Sequence, residues 1–371
     1  MSKPIRVLQV IGIMNRGGAE TMIMNLYRHI DRTRVQFDFV ENENDGAYFD
    51  DEIRSLGGNI YHCPRFTGKN LPAYKKWWKS FFNTHHEYSA VHGHIGSTAA
   101  FYLKEANKHG LTTIAHSHSA GTKNTKQILY DILSYPTRNI ADYLFMCSEQ
   151  AGVSRYGERA AYDMKRAFLL PNAIDTKAFC FSSNIRKQKR QELGIADETL
   201  VVGHVGRFAD VKNHLFLLAV FKEISLLCPA AELLLVGDGE LRSSVEKKAA
   251  DLGLHSRVIF TGDRSDVNEL MMAMDVFVFP SKYEGLPVTL VEAQCSGLPC
   301  VIADTIPSNS ILNNELIRVR SLHETASEWA GEVLQCRSEE RTACADIIKK
   351  AGFDIEESAK WLEEFYLEKA K

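Results

Sequence analysis

The sequence predicts an α/β protein built from two doubly wound domains, each with a parallel sheet covered by helices on both faces. Strand-length apolar runs alternate with helix-length amphipathic stretches, and the alternation restarts after a charged stretch at residues 182–192. Because the strand runs are apolar throughout, the sheets are predicted to be parallel and buried on both faces. The chain has 371 residues, 45% of them hydrophobic and 25% charged, which suffices for two domains of ordinary size.

Each predicted strand is one of these apolar runs. The first domain, residues 1–178, contains runs at 5–11, 35–40, 59–63, 90–94, 112–115 and 143–147. The second domain, residues 179–354, contains runs at 200–205, 232–236, 257–260, 276–279 and 300–303. A last helix is predicted at residues 355–371 from its helical spacing of apolar residues. Ligands bind such sheets beyond the carboxyl ends of the strands, so we expect the chemistry in a central cleft that the two domains face.

Composition excludes some classes of function. The formal net charge of −3 gives no general attraction to nucleic acid, so no nucleic-acid partner is expected. The first residues lead directly into a strand-like run without the apolar segment of a signal peptide, which predicts a cytoplasmic protein. Eight scattered cysteines contain no Cys-x-x-Cys and are interpreted as buried thiols outside disulfides.

The most informative segment is the run from Pro280 to Pro299, which reads as a strand, a loop and a helix. Pro287 can open the helix, because a proline's missing N–H is harmless in the first turn. The first backbone N–H groups of that helix, those of Thr289 and Leu290, could then hold a phosphate. Glu284 and Glu292 flank this junction, and their carboxylates could accept hydrogen bonds from sugar hydroxyls.

Two cations and several glycines follow other strand ends. Arg207 and Lys212 lie in the loop after the run at 200–205, where fixed positive charge could neutralise a diphosphate as it departs. A solvated surface pair is the alternative interpretation. Glycine allows a backbone to approach a ligand closely, and it recurs after four of the predicted strands, at Gly17, Gly18, Gly206, Gly237, Gly239 and Gly262.

Histidines cluster by spacing in the first domain. His116 and His118 would share one face of an extended strand, and His92 and His94 repeat the same spacing. No cysteine or acid completes a recognisable ligand set, so no metal is predicted. A neutral imidazole that donates to a sugar oxygen, or acts as an acid or base, is the favoured interpretation.

A basic aromatic helix is predicted around residues 74–85. Aromatic residues recur at helical spacing while lysines occupy the remaining face, and no acid occurs between Ile53 and His86. One interpretation is a peripheral membrane patch, since each lysine near anionic lipid adds about 1 kcal/mol. The other is a helix that packs its aromatic stripe on the sheet. The patch comprises Lys75, Lys76, Trp77, Trp78 and Lys79.

Taken in order, these motifs resemble the retaining family-4 glycosyltransferases, also called the glycosyl transferases group 1 family, over nearly the whole chain. The resemblance rests on Gly17-Gly18-Ala19-Glu20, on Asp142 to Ser148, on Pro171 to Asp175 with Ala173 in place of the usual glycine, on Arg207 with Lys212, and above all on the Glu-x7-Glu signature of Glu284 and Glu292. It implies the GT-B fold, with the last helix packed back on the first domain. The His-Ser-His form of residues 116–118 is most similar to bacterial exopolysaccharide and capsule enzymes.

The same resemblance implies roles for residues. Glu284 would contact hydroxyls of the donor sugar and Glu292 those of the ribose, while Gly285, Leu286, Thr289 and Leu290 would line the phosphates. Arg207 and Lys212 match the family's diphosphate-binding pair. Either His116 or His118 would take the family's histidine position.

The function expected from this resemblance is transfer of a hexose from a nucleoside diphosphate sugar, UDP-linked, to a glycan hydroxyl on a polyprenyl carrier, with retained anomeric configuration. Neither a metal nor another cofactor is expected to take part. Peripheral contact with the inner face of the cell membrane would bring the enzyme to such an acceptor. Two alternatives are a nucleotide-sugar epimerase and a non-catalytic protein that binds sugar nucleotides.

Overall fold

The computed structural model describes residues 3–42, 46–118, 132–336, 341 and 344–370. The chain divides into two compact units. The N unit comprises Met1–Ala173 together with Asp354–Lys371, and the C unit comprises Ile174–Phe353. The boundary therefore falls after residue 173, whereas the sequence pattern places it after residue 178.

The N unit is a seven-stranded parallel sheet with helices between its strands. Its strand order is β3-β2-β1-β4-β5-β6-β7. The strands are β1 Ile5–Val10, β2 Val35–Glu41, β3 Ile60–His62, β4 Tyr88–Gly93, β5 Thr112–Ser117, β6 Tyr143–Met146 and β7 Ala167–Leu169. Its helices include α1 Gly18–His29, α2 Asp50–Ser55, α3 Leu71–Thr84, α4 Ala99–Lys108, α5 Thr137–Ile140, α6 Glu149–Tyr156 and α7 Glu158–Ala161.

The C unit repeats the design with six parallel strands. Their order is β10-β9-β8-β11-β12-β13. The strands are β8 Val201–Val205, β9 Glu232–Val236, β10 Val258–Gly262, β11 Val276–Phe279, β12 Cys300–Ala303 and β13 Ile317–Arg320. The helices are α8 Ser183–Leu193, α9 His214–Leu227, α10 Arg242–Asp251, α11 Val267–Ala273, α12 Val288–Cys295, α13 Ala326–Gln335 and α14 Ala345–Lys350.

In both sheets, the strands that follow the unit's first strand in the chain are added first on one side of it and then on the other. In the N unit β1 lies between β2 and β4, and in the C unit β8 lies between β9 and β11. The helices that follow two such neighbouring strands cover opposite faces of the sheet, which leaves a crevice at the carboxyl ends of the strands. The predicted fold class of two doubly wound units is confirmed, and the position of each crevice follows from the strand order.

The sequence pattern missed the strands at one edge of each sheet. β7 is only three residues long and partly exposed, and β13 reads Ile-Arg-Val-Arg with its two arginines outside the core. An edge strand is covered less completely than a central one, so it does not need a continuous apolar run. The criterion that found the central strands therefore could not find these two.

The charged stretch at residues 182–192 is a helix. Ser182 caps α8 by accepting a hydrogen bond from the Ile185 amide, and Gly194 ends the helix in the left-handed conformation. Lys189 is buried and lies 2.6 Å from Asp266, while the fully buried Arg190 lies 3.4 Å from Asp275. Its polar composition thus reflects paired, buried charge within the C unit.

The final helix, α15 Ile355–Lys369, packs on the N unit. It begins at Asp354, whose side chain accepts a hydrogen bond from the Glu357 amide at 3.0 Å. Its apolar face joins the core around β1 and β2, where the Tyr366 ring meets Phe37 edge-on at 5.9 Å. Glu363 adds an ion pair with Arg34 of the same unit.

The basic aromatic helix α3 packs its aromatic stripe into the N-unit core. Tyr74, Trp78, Phe81 and Phe82 are buried, and Trp78 is only 1% exposed. Trp78 therefore cannot contact a membrane, and its inclusion in the predicted patch is wrong, because the helix needs this ring to cover the sheet. Among the described residues, no helix combines the length and the apolar composition required to cross a bilayer.

None of the eight cysteines, all of which lie in the described part of the chain, forms a disulfide. Four are buried, namely Cys63, Cys147, Cys295 and Cys300. The other four are partly exposed, so the interpretation of all eight as buried thiols is wrong for half of them.

Candidate functional site

The crevice of the C unit is formed by the loops after β8 and β11. The loop after β8 contains a short 3-10 turn, Asp210–Lys212, and ends at Asn213 with a positive φ of 59°. The Asn213 side-chain amide donates to the Pro280 carbonyl at 3.2 Å, and the Lys282 amide donates to the Val211 carbonyl at 2.8 Å. These bonds hold the two loops together at the point where the strand order switches.

Lys212 and Glu284 meet across these loops. Lys212 Nζ lies 2.6 Å from Glu284 Oε1, and the two side chains are only 18% and 13% exposed. Nζ also lies 5.0 Å from the centre of the Phe279 ring. An ammonium group has three N–H donors, so after one bond to Glu284 the others can reach phosphate oxygens. The sequence predicted both residues as site residues, and the structure brings them together.

Arg207 occupies the same loop but is held differently. Its side chain is 74% exposed and pairs with Glu240 at 3.2 Å. Exposed ion pairs are weak and exchange readily with water. The positive charge at Arg207 is therefore largely solvated, whereas that of Lys212 is shielded and held in contact with Glu284.

The helix α12 starts at this crevice, with Pro287 at its N-cap. The Leu290 amide already donates to the Pro287 carbonyl at 3.0 Å, because the first turn closes tightly. Leu290 is thus wrong as a free phosphate donor. The amides of Val288 and Thr289 remain available among the described residues, as expected for the first turn of a helix.

Glu292 lies one turn further along α12. Burial raises the pKa of its carboxyl to about 7. The carboxyl has neither a hydrogen-bond nor an ion-pair partner among the residues that the structure describes, so desolvation acts without compensation. A carboxylate in this position gains most from donors that a ligand brings.

The glycines after the C-unit strands permit close backbone approaches. Gly237 has φ of 129°, and a Cβ atom there would lie 2.3 Å from the Gly206 carbonyl oxygen. A Cβ atom at Gly239 would lie 2.7 Å from the carbonyl oxygen of Phe208. The Gly237 amide also donates to the Gly262 carbonyl at 3.0 Å. These glycines shape the loops by packing on one another, whereas Gly285 and Leu286 lie partly exposed beside Glu284.

Two histidines that sequence reasoning missed lie behind this crevice. His204 is fully buried, and its Nδ1 lies 2.9 Å from the Val278 carbonyl. The ring of His214 lies 4.8 Å from it, and burial lowers the pKa of His214 to about 4. A Cβ atom at Gly206 would lie 3.1 Å from His204 Nε2, so the pair supports the loop that carries Lys212. The signal available was a histidine within an otherwise apolar strand.

The N-unit crevice is formed after β1 and β4. Gly17 caps α1, and the Glu20 carboxyl folds back over it, so that a Cβ atom at Gly17 would lie 2.1 Å from Glu20 Oε2. Burial raises the pKa of Glu20. Gly18 has open space beside it. The first turn of α1 is therefore covered in part by its own acid.

Four histidines gather at the carboxyl ends of β4 and β5. His92 Nε2 lies 3.2 Å from His116 Nδ1, and His94 Nδ1 lies 2.8 Å from His118 Nε2. The rings of His116 and His118 are 4.1 Å apart. Burial lowers the pKa of all four imidazoles, to about 3 for His92 and about 4 for His118. The four rings are therefore neutral near pH 7.

Ring nitrogens of His92, His94 and His116 lie within 4.8 Å of one another, a grouping that could hold a metal ion. Neutral imidazoles are suitable ligands for such ions. In the structure, however, both ring nitrogens of His92 and both of His94 contact other side chains, so coordination would first require some of those hydrogen bonds to break.

Two Rossmann-like units, each with a polar crevice at its switch point, define the GT-B class of glycosyltransferases. The model of the family described as "Glycosyl transferases group 1" matches residues 185–350, and that of "Glycosyltransferase Family 4" matches residues 16–178. EpsF of Bacillus subtilis (strain 168), a protein named as a glycosyltransferase, is 37% identical over 362 residues, covering 95% of this chain and 94% of EpsF. The chain therefore belongs to the glycosyltransferase family that these two models describe.

Two further comparisons are informative. A UDP-Gal:alpha-D-GlcNAc-diphosphoundecaprenol alpha-1,3-galactosyltransferase of Escherichia coli is 28% identical over 237 residues, covering 62% of this chain and 61% of that enzyme. The crystal structure of Anabaena HepE in complex with UDP has the same fold, with a TM-score of 0.79 and 17% identity over 98% of this chain and 100% of HepE.

Proposed function

We propose that this glycosyltransferase moves a hexose from a UDP-sugar to a hydroxyl of a polyprenyl-linked glycan, with retention of anomeric configuration, in the synthesis of an exopolysaccharide or capsule. The largely buried Lys212–Glu284 pair, beside helix α12 whose first amides have no partner among the described residues, carries the proposal. The UDP complex of HepE and the name of the E. coli relative support the donor and the carrier.

Each residue of the C-unit site has a separate role in the proposed transfer. Lys212 and the start of α12 stabilise negative charge on the departing diphosphate, which is greatest in the transition state. Arg207 attracts the same diphosphate from solvent. Glu284 accepts hydrogen bonds from the donor sugar, and Glu292 accepts them from the ribose.

Substrate hydroxyls also contact the N unit in this proposal. His116 and His118 hydrogen-bond a sugar hydroxyl, and neither is required to store a proton, because burial keeps both rings neutral. The acceptor hydroxyl attacks the anomeric carbon on the same face from which the diphosphate leaves. The leaving phosphate takes the proton of the acceptor hydroxyl. No metal is needed, because fixed positive groups replace it.

A screen of donors tests this function. Thermal shift against UDP, GDP and ADP sugars should give stabilisation by UDP sugars, since only a ligand of the folded state raises the melting temperature. The stabilising donor is then incubated with polyprenyl diphosphate-linked glycans, and UDP release and product are measured. An α-linked product from an α-linked donor supports retention, and an inverted anomer contradicts it.

Two controls separate the alternatives. Activity that persists after chelation with EDTA supports a metal-independent reaction, and activity that is lost and restored by a divalent cation contradicts it. Interconversion of the sugar nucleotide without acceptor would favour an epimerase. Binding without any turnover would favour a non-catalytic protein.

The acceptor's carrier suggests a membrane surface, and the N unit offers a suitable one. A groove of about 680 Å³ lies between α3 and α4, with Phe101, Pro136 and Ile140 among its apolar residues. Five lysines and one glutamate also line it, namely Lys75, Lys76, Lys79, Lys104, Lys108 and Glu105. Lys75 Nζ lies 5.3 Å from the centre of the Phe101 ring. We propose that this lysine groove, together with the partly exposed Trp77, contacts anionic lipid at the inner face of the cell membrane.

Co-sedimentation with vesicles tests the lysine groove. The protein should bind vesicles that contain phosphatidylglycerol better than vesicles of phosphatidylcholine alone, and salt should weaken the binding. Replacing Lys75, Lys79 and Lys104 by glutamate should abolish it. The same charge change at Lys187, Lys247 and Lys248, exposed lysines of the C unit, is the matched control. Equal losses in both variants would contradict the groove as the binding surface.

A further inference from the structure

Two residues outside the predicted site, Gln9 and Tyr366, connect the four histidines. Gln9 lies on β1 and pairs in register with His92 on β4. Its side-chain oxygen Oε1 lies 2.9 Å from His94 Nε2, and its amide nitrogen lies 3.4 Å from the Tyr366 hydroxyl. That hydroxyl lies 2.6 Å from His92 Nδ1. Gln9 and Tyr366 are both buried, at 1% exposure each.

The Gln9 amide fixes the direction of one branch of this network. A carbonyl oxygen only accepts, so His94 Nε2 must carry the proton and donate it to Gln9 Oε1. A neutral imidazole has one N–H, so His94 Nδ1 accepts, and its donor at 2.8 Å is His118 Nε2. His118 Nδ1 is then left as a bare acceptor. It is buried and has no hydrogen-bond partner among the described residues.

The second branch runs in the opposite sense. The Gln9 amide nitrogen donates to the Tyr366 oxygen, and the Tyr366 proton is donated to His92 Nδ1. His92 Nε2 therefore carries a proton and donates to His116 Nδ1 at 3.2 Å. His116 Nε2 is left as a donor, which is likewise buried and unpartnered within the described part of the chain.

The two branches thus end side by side with opposite polarity. The rings of His116 and His118 are 4.1 Å apart, one presenting an N–H and the other a lone pair. A hydroxyl group both donates and accepts, so it could satisfy both atoms at once. Two buried polar atoms without partners are costly, which gives such a hydroxyl a favourable place to bind.

We propose that Gln9 and Tyr366 are positioning residues that set the tautomers of His116 and His118 and thereby the direction in which this pair binds a substrate hydroxyl. The inference deepens the proposed function and rests on it for the identity of the ligand. The tautomers themselves are a property of the protein alone. They can be measured whether or not a substrate is known.

The first experiment is ¹⁵N NMR of the full chain labelled at histidine, with signals assigned by single His→Gln variants. The expected result is that His92, His94, His116 and His118 are neutral and protonated on Nε2. A proton on Nδ1 of His94 or His118 would overturn the inference, because the Gln9 amide would then face the other way.

Substitution then tests cause. Gln9→Glu offers two acceptors, so the Tyr366 proton turns to residue 9 and His92 donates from Nδ1 to Tyr366. His92 and His116 should therefore both move their protons to Nδ1. Tyr366→Phe should leave His94 and His118 unchanged and make the tautomers of His92 and His116 mixed. If both variants leave all four histidines as in the wild type, the positioning role is refuted, and should Gln9→Glu not fold, Tyr366→Phe decides alone.

Kinetics complete the test, with Tyr27→Phe as the matched control. Tyr27 is another fully buried tyrosine of the N unit, and its hydroxyl accepts from the Gln36 amide at 2.6 Å, so its loss costs a comparable hydrogen bond away from the histidines. With the donor found by the screen, Tyr366→Phe should lower kcat about tenfold with KM for the donor nearly unchanged, and Tyr27→Phe should change neither. Equal losses in both would indicate a structural role and overturn the proposal.

The outcomes separate the two proposals. Altered tautomers in a protein that turns over no donor would refute the proposed function and leave the positioning network standing. If the variants keep the wild-type tautomers and the wild-type enzyme turns over its donor, the positioning network is refuted and the proposed function stands.

Discussion

The two units share one sheet design but place opposite chemistry at the equivalent edge. In the N unit the crevice after β1 and β4 holds imidazoles that burial keeps neutral, linked through Gln9 and Tyr366. In the C unit the crevice after β8 and β11 holds formal charge, with Lys212 and Glu284 in contact. The fold determines where a site can form, and a few side chains at that edge decide what it can do.

The physical basis of the difference is compensation of desolvation. No described charged partner balances the buried histidines, so their pKa values fall and they lose their charge. Lys212 and Glu284 are also largely buried, but each is the other's ion-pair partner, and this contact offsets part of the cost of their desolvation. We therefore expect the C unit to act on a charged group and the N unit to act on hydroxyls.

The largest effect should follow from Lys212→Ala. In the proposed reaction the ammonium group of Lys212 stabilises the departing diphosphate, so its removal should lower kcat/KM about a thousandfold. The melting temperature should change by only a few degrees. Steady-state UDP release and a thermal melt of the same sample provide the two measurements.

Lys282→Ala is the control for that variant. Lys282 pairs with Asp210 at 2.7 Å on the same two loops, but the pair is largely exposed, with side chains 46% and 83% accessible. Its loss should change turnover less than twofold, as expected for a solvated ion pair. Wild-type turnover in a folded Lys212→Ala protein would remove the distinction between the units.

A smaller effect should come from pH, and for UDP binding it should follow the carboxyl of Glu292 in the C unit and not the four histidines of the N unit. With a pKa of about 7, Glu292 is mostly protonated near pH 6 and mostly ionised near pH 8. If the carboxylate accepts from ribose, UDP should bind about tenfold more weakly near pH 6 than near pH 8. The terminal phosphate of UDP also titrates near pH 6, so the contribution of Glu292 is the difference between the wild type and Glu292→Gln, which should lose it. The histidines should contribute nothing over this range, since they are neutral at both values. Calorimetric titration with UDP measures the affinities.

The pH dependence of stability gives an independent measure of the pKa of the Glu292 carboxyl. The folded-state pKa of Glu292 lies above its ordinary value of 4.5, so its contribution to stability is complete below about pH 4.5 and is lost as pH rises through about 7. Glu292→Gln should therefore gain stability relative to the wild type as pH rises. Glu41 of the N unit also has a pKa raised to about 7, so only the difference between the two proteins reports on Glu292. If the difference in melting temperature between the wild type and Glu292→Gln is the same at every pH, the raised pKa is contradicted.

The central strands and the strand, loop and helix from Pro280 to Pro299 could be predicted from the sequence because the interactions that form them are local. A fully buried parallel strand needs a continuous apolar run, and residues 276–279 match β11 for that reason. The edge strand β13 needs no such run, and its sequence carries none. The helix α8 could be described from the sequence only as a charged stretch, because its buried charges are paired with Asp266 and Asp275, which are distant in sequence.

The site was predictable in its residues more than in its contacts. Lys212 and Glu284 could be selected by type and position, but the loop geometry that joins them required the structure. Gln9 gave only the weak signal of a polar residue within a largely apolar strand that also contains Arg6. Tyr366 gave none, because an aromatic residue on an amphipathic helix is usually part of the core. Its contact with His92 depends on how the final helix packs on the N unit.

The smallest effect should follow from Arg207→Ala, which compares a solvated cation with the largely buried Lys212 inside the C unit. Because Arg207 is 74% exposed, its interaction with a diphosphate is screened by solvent, and UDP affinity should fall severalfold at most in low salt. The difference from the wild type should shrink as salt is added. The control is Arg242→Ala. Arg242 is the first residue of α10 and pairs with Asp238 in the preceding loop and with Glu246 on the helix, and its loss should leave affinity unchanged. A salt-independent loss as large as that of Lys212→Ala would show that ligand binding fixes Arg207 in place.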